Sequence, residues 1–313
     1  MNKSDVTRGL IDFALSQCLK NMKTDPRRSL RRLNDLALQA SKGRFQSELF
    51  SLFQQMLDNE NSPYYDMLDR ILSTTDTAVL KSFGINLGYN AWTRGAAQLR
   101  AASPDSSLPL SWLVELEPAA SLETVSAQIS RERADGRYVF HASLPEDGIG
   151  TGTDFFALIR HFGDCDFLLD LEKTDRLPSS GQLKEAARCT NLFFLLPFSS
   201  SRCRQLADEL LALGLPFAVT FSYRDADADE LLSPRHIDEL LSWGSPFLSF
   251  VPAASCSPQT YSAVDDAILD ARMRQRFPAL LIHWEKDIDR IGAILSSPAQ
   301  HSFSSPRKTD PAR

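Results

Sequence analysis

The sequence is poor in the features that mark several common classes of protein. Five cysteines occur among 313 residues and none form a CxxC pair, which excludes a closed four-cysteine zinc site and a dithiol redox motif. No apolar run approaches the ~18 residues that a membrane-spanning helix needs. Charged residues interrupt the apolar stretch at the N-terminus, which disfavours a secretory signal. These absences predict a cytoplasmic protein whose cysteines are buried small hydrophobic side chains.

An excess of positive charge is also missing. The chain has 34 Lys and Arg against 40 Asp and Glu, for a net charge of −6 and a pI near 5.5. This balance argues against a dedicated nucleic-acid-binding protein, which normally carries a basic face. The charge is uneven, since residues 1–100 carry a net +4 and the remainder a net −10. Apolar residues make up 43% of the chain, which suffices for a sizeable core.

The first region has the periodicity of α-helices. Its first apolar stripe recurs with a 3.6-residue period at Ile11, Leu15, Cys18, Leu19 and Met22. Asp25-Pro26 and Ser62-Pro63 each pair an N-cap residue with a proline at the first helical position. A basic cluster, defined as Arg27, Arg28, Arg31 and Arg32, is either a solvated helix face or a docking surface for an acidic protein partner. The sequence thus predicts an all-helical N-terminal region over residues 1–105.

From about residue 108 the pattern alternates between short β-rich runs and helical stretches. The seven runs are Trp112–Leu116, Tyr138–His141, Asp166–Leu171, Leu192–Leu196, Pro216–Phe221, Phe247–Val251 and Leu280–Trp284. Such alternation predicts βαβ units and a parallel sheet. We expect an α/β fold over residues 106–295, a partial or complete TIM-like (β/α) barrel in preference to a short doubly wound sheet. Residues 296–313 are rich in Ser, Pro and charge and predict a disordered tail.

The order of these pieces resembles the radical S-adenosylmethionine (radical SAM) superfamily, in a subgroup with a helical preface. The resemblance rests on LIDFALSQCLKNMKTDPRRSLRRLNDLA and SPYYDMLDRILSTTDTAVLKSFGINLGYNAWTRGAAQLRA for the preface, and on LPLSWLVELEPAA for the first barrel strand. It covers about Leu10 to Leu295. It implies a barrel of the radical SAM type, which in that family holds a four-iron, four-sulfur cluster on three cysteines.

The sequence departs from the family where the chemistry is carried. After the first strand the family has Cys-x-x-x-Cys-x-x-Cys, whereas here Glu117-Pro118-Ala119-Ala120 runs directly into the next helix. After the second strand the family has Gly-Gly-Glu-Pro, and here residues 143–148 read SLPEDG, so that Glu146 alone corresponds. The resemblance therefore implies a degenerate member without cluster, metal or other cofactor, unless Cys165, Cys189 and Cys256 converge in space.

Polar residues follow the predicted strands, where a (β/α) barrel places its functional groups. They are Glu117, His141, Glu146, Asp170, Glu172, Lys173, Tyr223, Arg224, Asp225, His283 and Glu285. With the two histidines, the carboxylates could bind a divalent metal or act as acid and base, or all could be solvated strand ends. Gly148–Thr153 superficially suggests phosphate binding but lacks the GxGxxG spacing, and a flexible loop is favoured.

Three functions are compatible with the sequence. The first is a non-catalytic radical SAM-like protein that binds or regulates another protein, with an active relative as one candidate, and has no nucleic-acid or membrane partner. The second is an enzyme of another class that uses the carboxylates and histidines at the barrel mouth on a small molecule. The third is a module that still binds SAM or a nucleotide without iron. The first accounts best for a barrel that is retained without its cluster loop.

Overall fold

The computed structural model describes residues 3–22, 28–29, 59–102, 109–116, 121–144, 154–174 and 176–296. Several predicted features lie outside these residues: most of the basic cluster, the predicted C-terminal tail beyond residue 296, the segment Gly148–Thr153, and the candidate residues Glu117 and Glu146.

The described part of the N-terminal region is helical, as predicted. It consists of α1 (Lys3–Met22), α2 (Tyr64–Thr74), α3 (Thr77–Ile85), a π-helical segment (Asn86–Gly95) and α4 (Ala96–Ala102). Asp76 begins α3 by accepting a hydrogen bond from the Ala78 amide through its side chain. Cys18 and Leu19 of α1 are buried against apolar side chains of α2 and α3. The apolar stripe of α1 therefore forms a small core of its own.

All seven predicted strands are present and form one parallel sheet. They are β1 (Leu113–Leu116), β2 (Val139–Ser143), β3 (Asp166–Asp170), β4 (Leu192–Pro197), β5 (Phe217–Tyr223), β6 (Phe247–Pro252) and β7 (Leu280–His283). Between them lie α5 (Leu122–Asp135), α6 (Asp154–His161), α7 (Ser180–Ala186), α8 (Ser201–Ala212), α9 (Pro234–Leu241) and α10 (Pro258–Met273), and α11 (Trp284–Ser296) follows β7. Ser257 caps α10 by accepting a hydrogen bond from the Thr260 amide, with Pro258 in the first turn of the helix.

The strand order selects between the two predicted architectures. The strands are hydrogen-bonded in chain order from β1 to β7. Right-handed crossovers in constant order place every helix on one face of the sheet, so the sheet curls as in a barrel. A doubly wound sheet would instead reverse its strand order at a switch point. The fold is therefore a seven-stranded half-barrel.

The last helix fills the gap between the two edge strands. The Leu110 amide, just before β1, donates to the Gly292 carbonyl of α11 at 3.2 Å, and the Trp112 indole nitrogen donates to the Ile288 carbonyl at 3.1 Å. On its other side α11 pairs with α10 through the Arg290 guanidinium and the Asp265 carboxylate, 2.8 Å apart. Helix α11 thus serves as a wall between β7 and β1.

The helical region closes the amino ends of the strands. The Phe83 ring of α3 packs edge-on against Phe193 of β4, with centroids 6.0 Å apart, and Phe193 contacts Phe247 of β6 at 5.3 Å. The Asn86 side-chain amide donates to the Cys165 carbonyl at 3.3 Å and to the Asp166 carboxylate at 3.0 Å. Burial raises the pKa of Asp166 well above its usual value, against the opposing effect of the bond from Asn86. Side chains of the helical region therefore pack against the amino ends of the strands and cover them.

Candidate functional site

The concave face of the half-barrel carries a histidine between two carboxylates. Glu115 of β1 and His141 of β2 are direct neighbours in register, and Asp170 of β3 lies two residues beyond Leu168, the β3 neighbour of His141. Because strand side chains alternate between faces, all three residues share one face. His141 Nδ1 lies 2.6 Å from Glu115 Oε2, and His141 Nε2 lies 3.4 Å from Asp170 Oδ2. We name this group the histidine–carboxylate triad.

The triad holds its imidazole in the charged form at neutral pH. Burial acts to lower the pKa of His141, but the ion pair with Asp170 and the hydrogen bond and charge of Glu115 outweigh it and raise the pKa to about 9. The ring is therefore an imidazolium near pH 7 and the triad carries a formal charge of −1. Within the described part of the chain, His141 Nε2 is buried without an aligned hydrogen-bond partner, since its contact with Asp170 is an ion pair without hydrogen-bond geometry.

An indole ring lies beside the triad. Trp284 begins α11, and its ring centroid lies 5.2 Å from that of His141 at an interplanar angle of 50°. The sequence analysis assigned Trp284 to the last strand, whereas β7 ends one residue earlier. The start of α11 therefore brings an aromatic wall to the site, because this helix fills the gap next to β1.

Two buried hydroxyls lie elsewhere on the same face. Thr220 of β5 and Ser249 of β6 are neighbours in register, two residues after Ala218 and Phe247, so all four side chains point to the concave face. Thr220 is 7% exposed and Ser249 is 1% exposed, and neither hydroxyl has a hydrogen-bond partner among the residues that the structure describes. A buried hydroxyl left unpaired costs about 1–3 kcal/mol. Sequence reasoning missed both residues, and the signal for them was a single polar residue inside an apolar strand.

Two predicted site residues lie on the opposite face, beneath α10. Tyr223 at the end of β5 has its hydroxyl 2.7 Å from His283 Nε2 at the end of β7. His283 Nδ1 lies 3.1 Å from the carboxylate of Asp265 on α10, which also pairs with Arg290. Burial raises the pKa of the Tyr223 phenol. These side chains form a buried chain of hydrogen bonds. It lies on the helix-covered face of the sheet, whereas His141 lies on the concave face.

The remaining described candidates make contacts typical of turns and helix starts. Asp225 accepts a hydrogen bond from the Ser257 amide at 2.8 Å, which is the main reason that its pKa is lowered. The Arg224 amide donates to the Asp227 carboxylate, and Glu285 accepts from the Tyr261 hydroxyl at 3.3 Å. Glu172 and Lys173 lie at the surface in the turn after β3, and partial desolvation of the Glu172 carboxyl by its neighbours, together with the charge of Asp170, raises its pKa.

The thiols do not fit a four-iron, four-sulfur cluster. Cys165 directly precedes β3 and Cys189 comes three residues before β4, both at the amino edge, whereas Cys256 follows β6 at the carboxyl edge. Strands of five or six residues separate the edges by roughly 15–20 Å at ~3.3 Å per residue. Of the other two thiols, Cys203 is buried on α8 and Cys18 on α1. Three thiols therefore do not converge.

The protonation state of the buried thiols also disfavours an iron–sulfur cluster. Burial raises the pKa of Cys189 to about 11, and that of Cys165 further. Iron–sulfur clusters are held by thiolates, and burial disfavours the thiolate form.

Among the described residues, no group of three or more His, Cys, Asp and Glu side chains has a geometry that could hold a metal ion. None of the described helices is both long enough and apolar enough to span a membrane.

Comparisons with known proteins give a distant structural likeness. No protein-family model and no curated protein matches the sequence. Crystal structures of SuiB from Streptococcus suis, one of them bound to S-adenosylmethionine, each align at 8% identity and a TM-score of 0.45. They cover 61% of this chain and 52% and 50% of the matched chains, so the chain spans about half the length of those structures. Such a match assigns neither a ligand nor an activity to this chain.

Proposed function

We propose that this protein is a cytosolic, non-catalytic half-barrel of the radical SAM type that acts as a binding or regulatory partner of another protein, with an active relative as one candidate partner. The observation that carries the proposal is the separation of its thiols between the two edges of the sheet. This half-barrel keeps the strands and the packed amino edge of the fold. Because its thiols do not converge, it cannot hold the iron–sulfur cluster that would reduce SAM. Its remaining roles are those of a binding surface.

The sequence supports the same proposal independently. The residues between β1 and α5 are too few to contain the cluster loop, since five residues separate Leu116 from Leu122. The paired glycines that let the backbone approach SAM after β2 are also replaced, one by Ser143 or Leu144 and the other by Pro145. Two features required for one chemistry have changed together, which is the pattern expected when that chemistry is no longer selected.

A second candidate function follows from the histidine–carboxylate triad. A charged imidazole between two carboxylates, beside the Trp284 ring, is an arrangement that binds small polar molecules or transfers protons. The triad lies near the carboxyl ends of the strands, where barrel enzymes place their sites. This observation favours a concave face that binds a small molecule, either as an enzyme that acts on it or as a module that only binds it.

The experiment is a test of reductive SAM cleavage by the chain alone and in complex. The protein is purified anaerobically from its native cell with any stoichiometric partner, and each component is assayed with SAM and a strong reductant. We expect no cleavage by this chain, and cleavage in the complex to depend wholly on the partner. Cleavage by the isolated chain would contradict the proposal, and the absence of any stoichiometric partner would favour the small-molecule function.

A further inference from the structure

A polar cleft of about 240 Å³ lies at the amino edge of the half-barrel, away from the concave face. One side of the cleft is formed by the end of the π-helical segment and by α4. The other side is formed by the end of α5 and the turn that joins α5 to β2. Its polar lining residues are Arg94, Gln98, Ser130, Arg133, Tyr138 and Asp164. The cleft uses none of the residues of the histidine–carboxylate triad, so its function is separate from that of the concave face.

The charges that line the cleft do not cancel. Arg133 donates to Asp164 Oδ2 from both Nε and Nη2, at 2.8 and 2.7 Å, so these two residues neutralise each other. Arg94 lies over the Tyr138 ring, with its guanidinium carbon 5.9 Å from the centroid, and forms no ion pair within the described part of the chain. The cleft therefore carries a formal charge of +1, on a guanidinium placed over an aromatic ring with its N–H groups available.

Three further donors line the same cleft. They are the Gln98 amide, the Ser130 hydroxyl and the Tyr138 hydroxyl, and within the described residues none of them donates a hydrogen bond to another protein group. A planar carboxylate is matched by one guanidinium fork, which donates two parallel N–H groups to its two oxygens. A tetrahedral oxyanion accepts hydrogen bonds from several directions at once, which suits donors on separate elements. We propose that this cleft binds a phosphate group, either as inorganic phosphate or as a phosphomonoester.

The walls of the cleft are held by a close backbone contact. Gly95 ends the π-helical segment, and a Cβ added there would lie 2.1 Å from the Gly136 carbonyl oxygen. Gly136 ends α5 with φ of 104°, a left-handed conformation that glycine adopts without strain. This contact fixes the distance between Arg94, beside Gly95, and Tyr138, two residues beyond Gly136. Segments of π-helix are frequent at functional sites, where they place side chains that a regular helix would turn away.

The test is titration of the full chain with sodium phosphate by isothermal calorimetry, with sodium chloride at equal ionic strength as the reference. Arg94→Gln removes the uncompensated charge and should weaken phosphate binding at least roughly tenfold. Arg131→Gln is the matched control, since Arg131 is an exposed arginine of α5 outside the cleft that pairs with Glu132. We expect Arg131→Gln to bind phosphate as the unchanged protein does.

A second variant and a second probe complete the test. Ser130→Asp places a negative charge in the cleft at an exposed position and should abolish binding, with circular dichroism confirming the fold. Glycerol 3-phosphate binding more tightly than inorganic phosphate would identify a phosphomonoester as the ligand, and the reverse order would identify the free anion. Phosphate binding that is equal in the unchanged protein and in folded Arg94→Gln, or no binding by the unchanged protein, would overturn the proposal.

Discussion

Replacing Gly95 by alanine should destabilise the protein by about 3 kcal/mol, near the upper end for adding a methyl group to a packed site. The added Cβ would lie 2.1 Å from the Gly136 carbonyl oxygen and 2.9 Å from the Asn90 carbonyl oxygen. Both are backbone atoms, which cannot rotate away as the end of a side chain can. The π-helical segment must therefore shift away from the turn before β2, with a fall in melting temperature of roughly 4–6 °C.

Gly88→Ala is the matched control for this substitution. Gly88 lies in the same π-helical segment, and no atom lies within 4 Å of a Cβ added there. Alanine has the higher helix propensity, so the control should be neutral or stabilising by up to about 1 kcal/mol. Thermal unfolding of both variants measures the difference. Equal melting temperatures for the two variants would show that the helical region does not pack against the half-barrel as described.

The stability of the protein should depend on pH through His141. A pKa of about 9 in the folded state, against the ordinary value of 6.5, means that the folded protein binds the proton more tightly than the unfolded chain. The resulting stabilisation is fully present below about pH 6.5 and is lost as the pH rises through about 9. At about 1.4 kcal/mol per pKa unit, it reaches roughly 3 kcal/mol.

The measurement compares unfolding free energies of the unchanged protein and His141→Gln between pH 6 and pH 9.5. We expect the difference between them to fall by roughly 2–3 kcal/mol over this range. Glu115→Gln removes one carboxylate and should lower the pKa of the ring, followed by NMR of the imidazole. Glu123→Gln, at an exposed position of α5, is the control. An imidazole pKa near 6.5 in the unchanged protein would contradict the triad.

Much of the fold could be predicted because its signals are local. Seven β-rich runs alternate with helical stretches, and capping pairs such as Ser257-Pro258 mark where helices begin. The largest errors at strand ends were in β2, which continues two residues beyond His141 to Ser143, and in β5, which continues two residues beyond Phe221 to Tyr223. The π-helical segment was not predicted, because it is stabilised by contacts distant in sequence, such as that between Gly95 and Gly136.

The candidate site could be predicted less completely. The strands are covered on both faces, so their apolar runs contain no alternation to show which side chains face inward. For this reason His141 and His283 were equivalent in the sequence, whereas in the structure His141 lies on the concave face and His283 under α10. The contribution of Trp284 depends on how α11 fills the gap beside β1, which is a property of the assembled barrel.

The five thiols of the protein lie too far apart for three of them to hold one iron–sulfur cluster. The most direct measurement is the content of iron and acid-labile sulfide per chain after anaerobic reconstitution, read together with the Mössbauer spectrum. A double variant, Cys165→Ser with Cys189→Ser, reports adventitious iron bound by the two thiols at the amino edge of the sheet. We predict less than stoichiometric iron, no cluster spectrum, and no change in the double variant. A stoichiometric four-iron cluster in the unchanged protein would contradict the account.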